Sequence, residues 1–183
     1  YPDPDAIFYE DELFPPNLKS LTYLDPDSEI ANDITEEEIH PFKSLIWLKP
    51  KEIFGNDNFK LYYTIDIDDI HQGILGNCYY LSSVSALAEF PERFNKIFLQ
   101  KDVTANGCYS VQFYVNGKPK IVTIDDLFPC HLKNRKWAFS HAGNREIWVQ
   151  ILEKAWAKVC GSYASTIAGL PSEALSTLCE APC

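Results

Sequence analysis

Methionine is absent from this 183-residue sequence, glycine is scarce at 8 residues, and 16 lysines and arginines face 26 acids, for a formal net charge of −10. The shortage of basic side chains excludes a nucleic-acid partner, because no stripe of positive charge is available to displace counterions from phosphates. Long apolar runs are missing as well. Stretches such as Leu45 to Leu48 fall far below the roughly 18 residues that cross a bilayer, so no membrane span is expected. With 12 prolines and 23% charged residues, collagen-like, low-complexity and highly charged classes also fall away. The opening Tyr1-Pro2-Asp3 has neither the basic region nor the apolar core of a signal peptide. What is present, 46% hydrophobic residues, suffices to bury the core of one or at most two ordinary domains.

Charge is divided unevenly. Residues 1 to 70 hold 17 acids against 5 bases, and residues 71 to 183 hold 9 against 11. An acidic third of this kind ordinarily forms a solvated face, and it is also the place to look for a cation. Six cysteines, at 78, 108, 130, 160, 179 and 183, are spaced too irregularly for a disulfide framework and read as reduced, intracellular thiols. Cys179 and Cys183 alone make a poor zinc signal.

Residues 1 to 70, rich in Pro, Asp and Asn, read as a segment wrapping a core made by residues 71 to 183. Within the wrap, Thr35 followed by Glu36, Glu37 and Glu38 reads as a capping box opening a short helix that Pro41 closes. From Asn77 to Phe90 the apolar residues Tyr80, Leu81, Val84, Leu87 and Ala88 recur at helical spacing, with Asn77 as N-cap and Pro91 at the exit. Tyr109, Val111, Phe113 and Val115 alternate as a strand. Asn116-Gly117 then supplies a two-residue hairpin turn, and Ile121 to Ile124 return. Asp125-Asp126 after that strand reads as turn chemistry rather than a catalytic pair. A second helix over about Asn144 to Val159 presents Trp148, Ile151, Leu152, Ala155, Trp156 and Val159 on one face, expected to pack on the first helix. Gly161 ends it, and a further short helix is expected from Pro171.

The chemistry concentrates in Gln72-Gly73-Ile74-Leu75-Gly76-Asn77-Cys78-Tyr79. Two glycines permit a tight loop that delivers Cys78 to a helix N-terminus, where the positive dipole end suits a thiolate. The amide of Gln72 and the backbone N–H of Cys78 are candidates to hold an oxyanion as a thiolate attacks a carbonyl. Of the four histidines, His40, His131 and His141 lie in polar contexts. His71, on the approach loop, is the best candidate base, although it lacks an evident orienting partner.

These residues resemble the calpain family, whose nucleophile segment reads Gln-Gly-x-Leu-Gly-Asp-Cys-Trp. Glu10 to Pro15, Trp47-Leu48-Lys49-Pro50, Thr123 to Pro129, and Leu152-Glu153-Lys154-Ala155-Trp156-Ala157-Lys158 with Gly161-Ser162-Tyr163 are similar to other segments of that family, so the likeness covers roughly residues 10 to 178. It implies an α+β fold, mainly helical with a small β-hairpin: the first half of a papain-like protease core, with Cys78 as nucleophile and Gln72 as oxyanion donor. The histidine and asparagine would come from a second half across a substrate cleft. The arithmetic agrees, because 105 residues follow Cys78, whereas papain-like enzymes place these partners about 130 to 150 residues downstream.

The resemblance further implies a calcium site using the carboxylates of Asp69 and Glu146 and the carbonyls of Tyr62 and Thr64, positions where the family usually has an apolar residue and a glycine. Three more residues depart from the pattern: Asn77 replaces Asp, Tyr79 replaces Trp, and Ile67 replaces a basic residue that couples calcium to alignment of the halves. The implied function is calcium-dependent, cytoplasmic endoproteolysis of protein substrates, with the nucleophile half inactive alone. The rivals are a calpain-like scaffold whose catalysis has lapsed and, more weakly, a calcium-binding module.

Overall fold

The structure, a computed structural model, describes residues 8–22, 36–55 and 58–180. Along the chain come α1 (Leu18–Leu21), α2 (Glu36–Lys43), β1 (Leu45–Leu48), α3 (Pro50–Phe54), β2 (Ile70–His71), α4 (Cys78–Ala88), α5 (Pro91–Phe94), β3 (Cys108–Val115), β4 (Lys118–Asp125), β5 (Phe128–His131), β6 (His141–Ala142), α6 (Trp148–Cys160) and α7 (Pro171–Cys179). This is an α+β arrangement in which the strands form three antiparallel pairs, β1 with β5, β2 with β6 and β3 with β4. Among the described residues no helix is long and apolar enough to cross a membrane.

The hairpin β3–β4 forms as its pattern predicts. Asn116 and Gly117 take positive φ angles of 53° and 70°, the left-handed pair a type I′ turn requires. The return strand starts at Lys118, directly after the turn, so the ladder runs from Val115↔Lys118 to Cys108↔Asp125. Its inward residues Val111, Phe113 and Ile124 are fully buried.

Helices α4 and α6 pack through aromatic side chains. Tyr80 stacks on Trp156 at 5.1 Å with a 7° interplanar angle, while Phe94 of α5 meets Trp148 edge-on at 5.2 Å. The hydroxyl of Tyr80 donates to Leu152 O at 3.0 Å, so its polar tip is satisfied inside the core. A second apolar cluster gathers Phe14, Leu21, Phe42, Leu75, Phe139 and Tyr163, bringing the N-terminal residues onto the same framework.

Several boundaries differ from the sequence reading. Thr35 lies outside the described residues. Helix α2 runs through Pro41 to Lys43, because a proline this close to a helix end removes one backbone bond without a long helix beyond it to break. Pro91 ends α4 and also opens α5 as its first residue, where a missing N–H costs nothing. Helix α6 starts at Trp148 rather than near Asn144. Asn144 and Arg145 have φ angles of 51° and 61° in a turn that the N–H of Glu146 closes on Gly143 O.

Unlike an ordinary amphipathic helix, α6 is buried on every side from Trp148 to Ala157, charged residues included. The ammonium of Lys154, 0% exposed, lies 2.5 Å from Asp125 Oδ1 and donates to Leu127 O. Asp125 in turn accepts the N–H of Leu127 and, from the other end of the chain, the N–H of Asp11. One turn further along α6, Lys158 donates to both carboxylate oxygens of Asp11 at 2.7 Å. Asp125 is therefore structural, as its position after a strand suggested. Replacing Asp125→Ala strands a buried ammonium and two amides, and is expected to cost about 3–5 kcal/mol. The double variant Asp125→Ala with Lys154→Met recovers part of that loss. Urea denaturation checks both, and a single-variant cost below about 1 kcal/mol would contradict a keystone role for the pair.

Candidate active site

The approach to Cys78 is built by two chain segments laid antiparallel. Residues 69–74 run antiparallel to 138–143: the N–H of Gly143 reaches Asp69 O, β2 pairs Ile70 with Ala142 and His71 with His141, and Ile74 N–H bonds Ala138 O, while earlier in the chain Lys60 makes a parallel bridge with Glu146, its N–H reaching Arg145 O. Gly73 fits only because it has no side chain: a Cβ there would lie 2.4 Å from Ala138 O and the Phe139 carbonyl carbon. Leu75 drops into the second apolar cluster, and the Gln72 amide spans the loop to Leu75 O at 3.0 Å. One N–H of that amide is thus engaged, and the second remains for another acceptor.

Cys78 is the first residue of α4 and is exposed. The N–H groups of Tyr80 and Leu81 bond Asn77 O, leaving those of Cys78 and Tyr79 at the open end of the helix. Asn77 holds the N-cap position, yet contrary to expectation its side chain caps nothing. It turns inward, 0% exposed, and donates to Glu153 Oε1 at 2.7 Å. Glu153 Oε2 accepts the N–H of Ser140 at 3.0 Å. One buried carboxylate therefore ties the residue before the cysteine to the segment on which the loop rests. Tyr79 faces the other way, its hydroxyl taking the Trp156 indole N–H at 3.2 Å, its ring against Gly169. Beside it, Ala168 N–H bonds Gly76 O.

The four candidate cation ligands fall along the same seam. Glu146, 1% exposed, accepts Tyr63 N–H at 2.7 Å and the Trp148 indole N–H at 3.0 Å. Its carboxylate is thereby held against the stretch whose flanking residues are Tyr62 and Thr64. Asp69 takes the Asn144 amide on both oxygens, at 2.9 and 3.2 Å. Burial first, and then the like charges of Asp69 and Asp66, push the Glu146 carboxyl above its usual range. Among the described residues no group of three or more His, Cys, Asp or Glu side chains could hold a metal ion. A cation here would depend on backbone carbonyls and water for its remaining ligands.

His71 lies beside His141, the rings tilted by 38° with centroids 5.3 Å apart. His40 is exposed in α2 and His131 half-exposed at the end of β5. The other described cysteines differ from Cys78. Burial pushes the thiols of Cys108 and Cys160 up to about 11 and that of Cys130 to about 12, while the Cys179 thiol donates to Leu175 O. Cys183 lies outside the described residues.

An exposed cysteine opening a helix behind a glycine-supported loop is the arrangement the sequence motif announced, and the model of the calpain family of cysteine proteases matches residues 9–183. The chain belongs to the calpain family. Among relatives in that family, a calpain-type cysteine protease of Oryza sativa subsp. japonica is 30% identical over 176 residues, covering 93% of this chain and 8% of the relative. The human calpain-1 catalytic subunit is 32% identical over 174 residues, covering 92% of this chain and 22% of the relative. The chain therefore spans a small part of the length of the calpains it matches.

Within this calpain segment, sequence reasoning missed Glu153 and Asn144. Glu153 sits in a helix whose pattern marks charged residues as solvated, and its partner is 76 positions away. The available signal was the unusual Asn77 beside the nucleophile, a residue able to donate to a carboxylate where Asp cannot. Burial raises the Glu153 carboxyl from 4.5 to about 6, against the hydrogen bonds from Ser140 and Asn77. The folded state thus binds the proton more tightly than the unfolded chain. This favours folding fully below pH 4.5 and is lost as the pH rises through about 6. The stability difference between wild type and Glu153→Met is expected to shrink by about 2 kcal/mol across that window. Denaturation curves at several pH values measure it, and a difference flat with pH would contradict the assignment.

Proposed function

We propose that this chain is the nucleophile-bearing half of a papain-like, calcium-dependent cysteine endopeptidase of the calpain type. It works on protein substrates in the cytoplasm and is inactive without a second half. The observation that carries the reading is Cys78, exposed at the first residue of α4, where the other described cysteines are buried or half-buried. Residues 71–183 form the nucleophile-bearing core and residues 1–70 wrap it.

In the complete site a histidine from the second half, oriented by an asparagine, takes the Cys78 proton as the sulfur attacks a peptide carbonyl. The developing oxyanion receives the backbone N–H of Cys78 and the second amide N–H of Gln72. The histidine then returns its proton to the leaving amine, and water releases the acyl group. None of the four histidines here takes that role in this proposal. His71 rests against His141.

The donor set on the seam fits calcium, a hard cation that takes six to eight oxygens. Asp69 and Glu146 would supply carboxylates and Tyr62 and Thr64 carbonyls, and the charge of the cation would offset the burial and the like charges of Asp69 and Asp66 that raise Glu146. With Thr64 in place of glycine and Ile67 uncharged, calcium here secures the seam more than it drives alignment of the halves.

Three measurements test the reading. At pH 8, iodoacetamide followed by mass spectrometry is expected to modify Cys78 well before Cys108, Cys130 or Cys160. Peptide turnover is absent until a half carrying His and Asn is added, and stays absent in Cys78→Ala. Equal labelling of all four thiols would favour the scaffold alternative. Calorimetry with calcium chloride is expected to show binding that Asp69→Ala and Glu146→Ala each abolish, and unchanged binding in both variants would remove the site.

A further inference from the structure

His71 and His141 are directly opposed residues of the antiparallel pair β2–β6, and direct opposition places both side chains on one face of the strands. Their rings are 5.3 Å apart, centroid to centroid, and tilted by 38°. Two imidazoles bound to one tetrahedral zinc ion through nitrogens at about 2.0–2.1 Å have their centroids roughly 5 Å apart. The pair is therefore already at chelating separation.

A second observation points the same way. His141 Nδ1 lies 3.3 Å from Phe139 O, a bond that places the proton on Nδ1 and leaves the Nε2 lone pair for a metal. This is the usual outer-shell arrangement of a zinc-binding histidine. A third concerns charge. Gly143 leaves open the space in which a Cβ would meet Asp69 Oδ1 at 2.8 Å and His71 Nε2 at 3.6 Å, so a carboxylate borders the same backbone as the ring. His71 is exposed and His141 half-exposed, so an ion has a path in, and the proteolytic reading uses neither residue.

We infer that His71 and His141 form a two-histidine site for zinc, completed by water, which clamps β2 to β6 immediately before Gln72 and so stiffens the start of the nucleophile loop. Imidazole suits zinc and not calcium, so the ligands here are the two ring nitrogens rather than the carboxylates of Asp69 and Glu146, and the site does not depend on the protease reading.

The test is calorimetric titration of zinc chloride into the full chain carrying Cys78→Ala, which removes the exposed thiol as a competing ligand. The expected result is one bound zinc, lost on adding either His71→Ala or His141→Ala and retained in excess calcium. Histidine ring NMR resonances of two residues shift together as the ion binds. Far-UV circular dichroism confirms folding, and exposed His71 alone decides the matter should His141→Ala fail to fold. Absence of zinc binding, binding that survives both substitutions, or displacement by calcium would each overturn the inference.

Discussion

Two consecutive charged residues in the middle of α6 organise this molecule. Burying Glu153 and Lys154 is costly unless each finds partners, and neighbouring side chains on a helix diverge by about 100°, so their partners lie in different parts of the chain. Glu153 collects Asn77 and Ser140 around the nucleophile loop, while Lys154 collects Asp125 and Leu127 at the end of the hairpin. Lys158, one turn on, takes the N-terminal Asp11. An apolar α6 would pack equally well against many surfaces, whereas this one is satisfied only when three particular chain segments arrive.

What could be read from the sequence follows from how local the determinants are. The hairpin was legible because Asn116-Gly117 dictates its turn within two residues, and α4 and α6 because their apolar period is internal. The pairs β1–β5 and β2–β6 were not legible. Each is short and joins segments far apart, so neither alternation nor turn chemistry announces it. The inward turn of Asn77 was hidden for a related reason. An asparagine before a helix ordinarily caps it, and only a fully buried carboxylate 76 positions later offers a better partner. The inside-out charge of α6 defeated the usual reading that charge marks the solvated face.

The seam formed by residues 60–74 against 138–147 explains why so many candidate groups are neighbours. His71 with His141 and Gly73 against Ala138 lie on one antiparallel run, the Asp69 side chain is tied beside it to Asn144, and Glu146 holds Tyr63 where the pairing turns parallel at Lys60. At the end of that run the chain turns into α4 and presents Cys78.

The ties made by Asp11 also govern how the chain reaches its fold during synthesis. Its partners Asp125 and Lys158 are 114 and 147 positions away, so the acidic N-terminal stretch leaves the ribosome long before anything exists for it to dock on. Contacts of such sequence separation slow folding, because a large loop must close before they return any energy. Until α6 emerges Asp11 has neither of these partners, and the excess of acids in residues 1 to 70 favours solubility of the chain that has not yet folded.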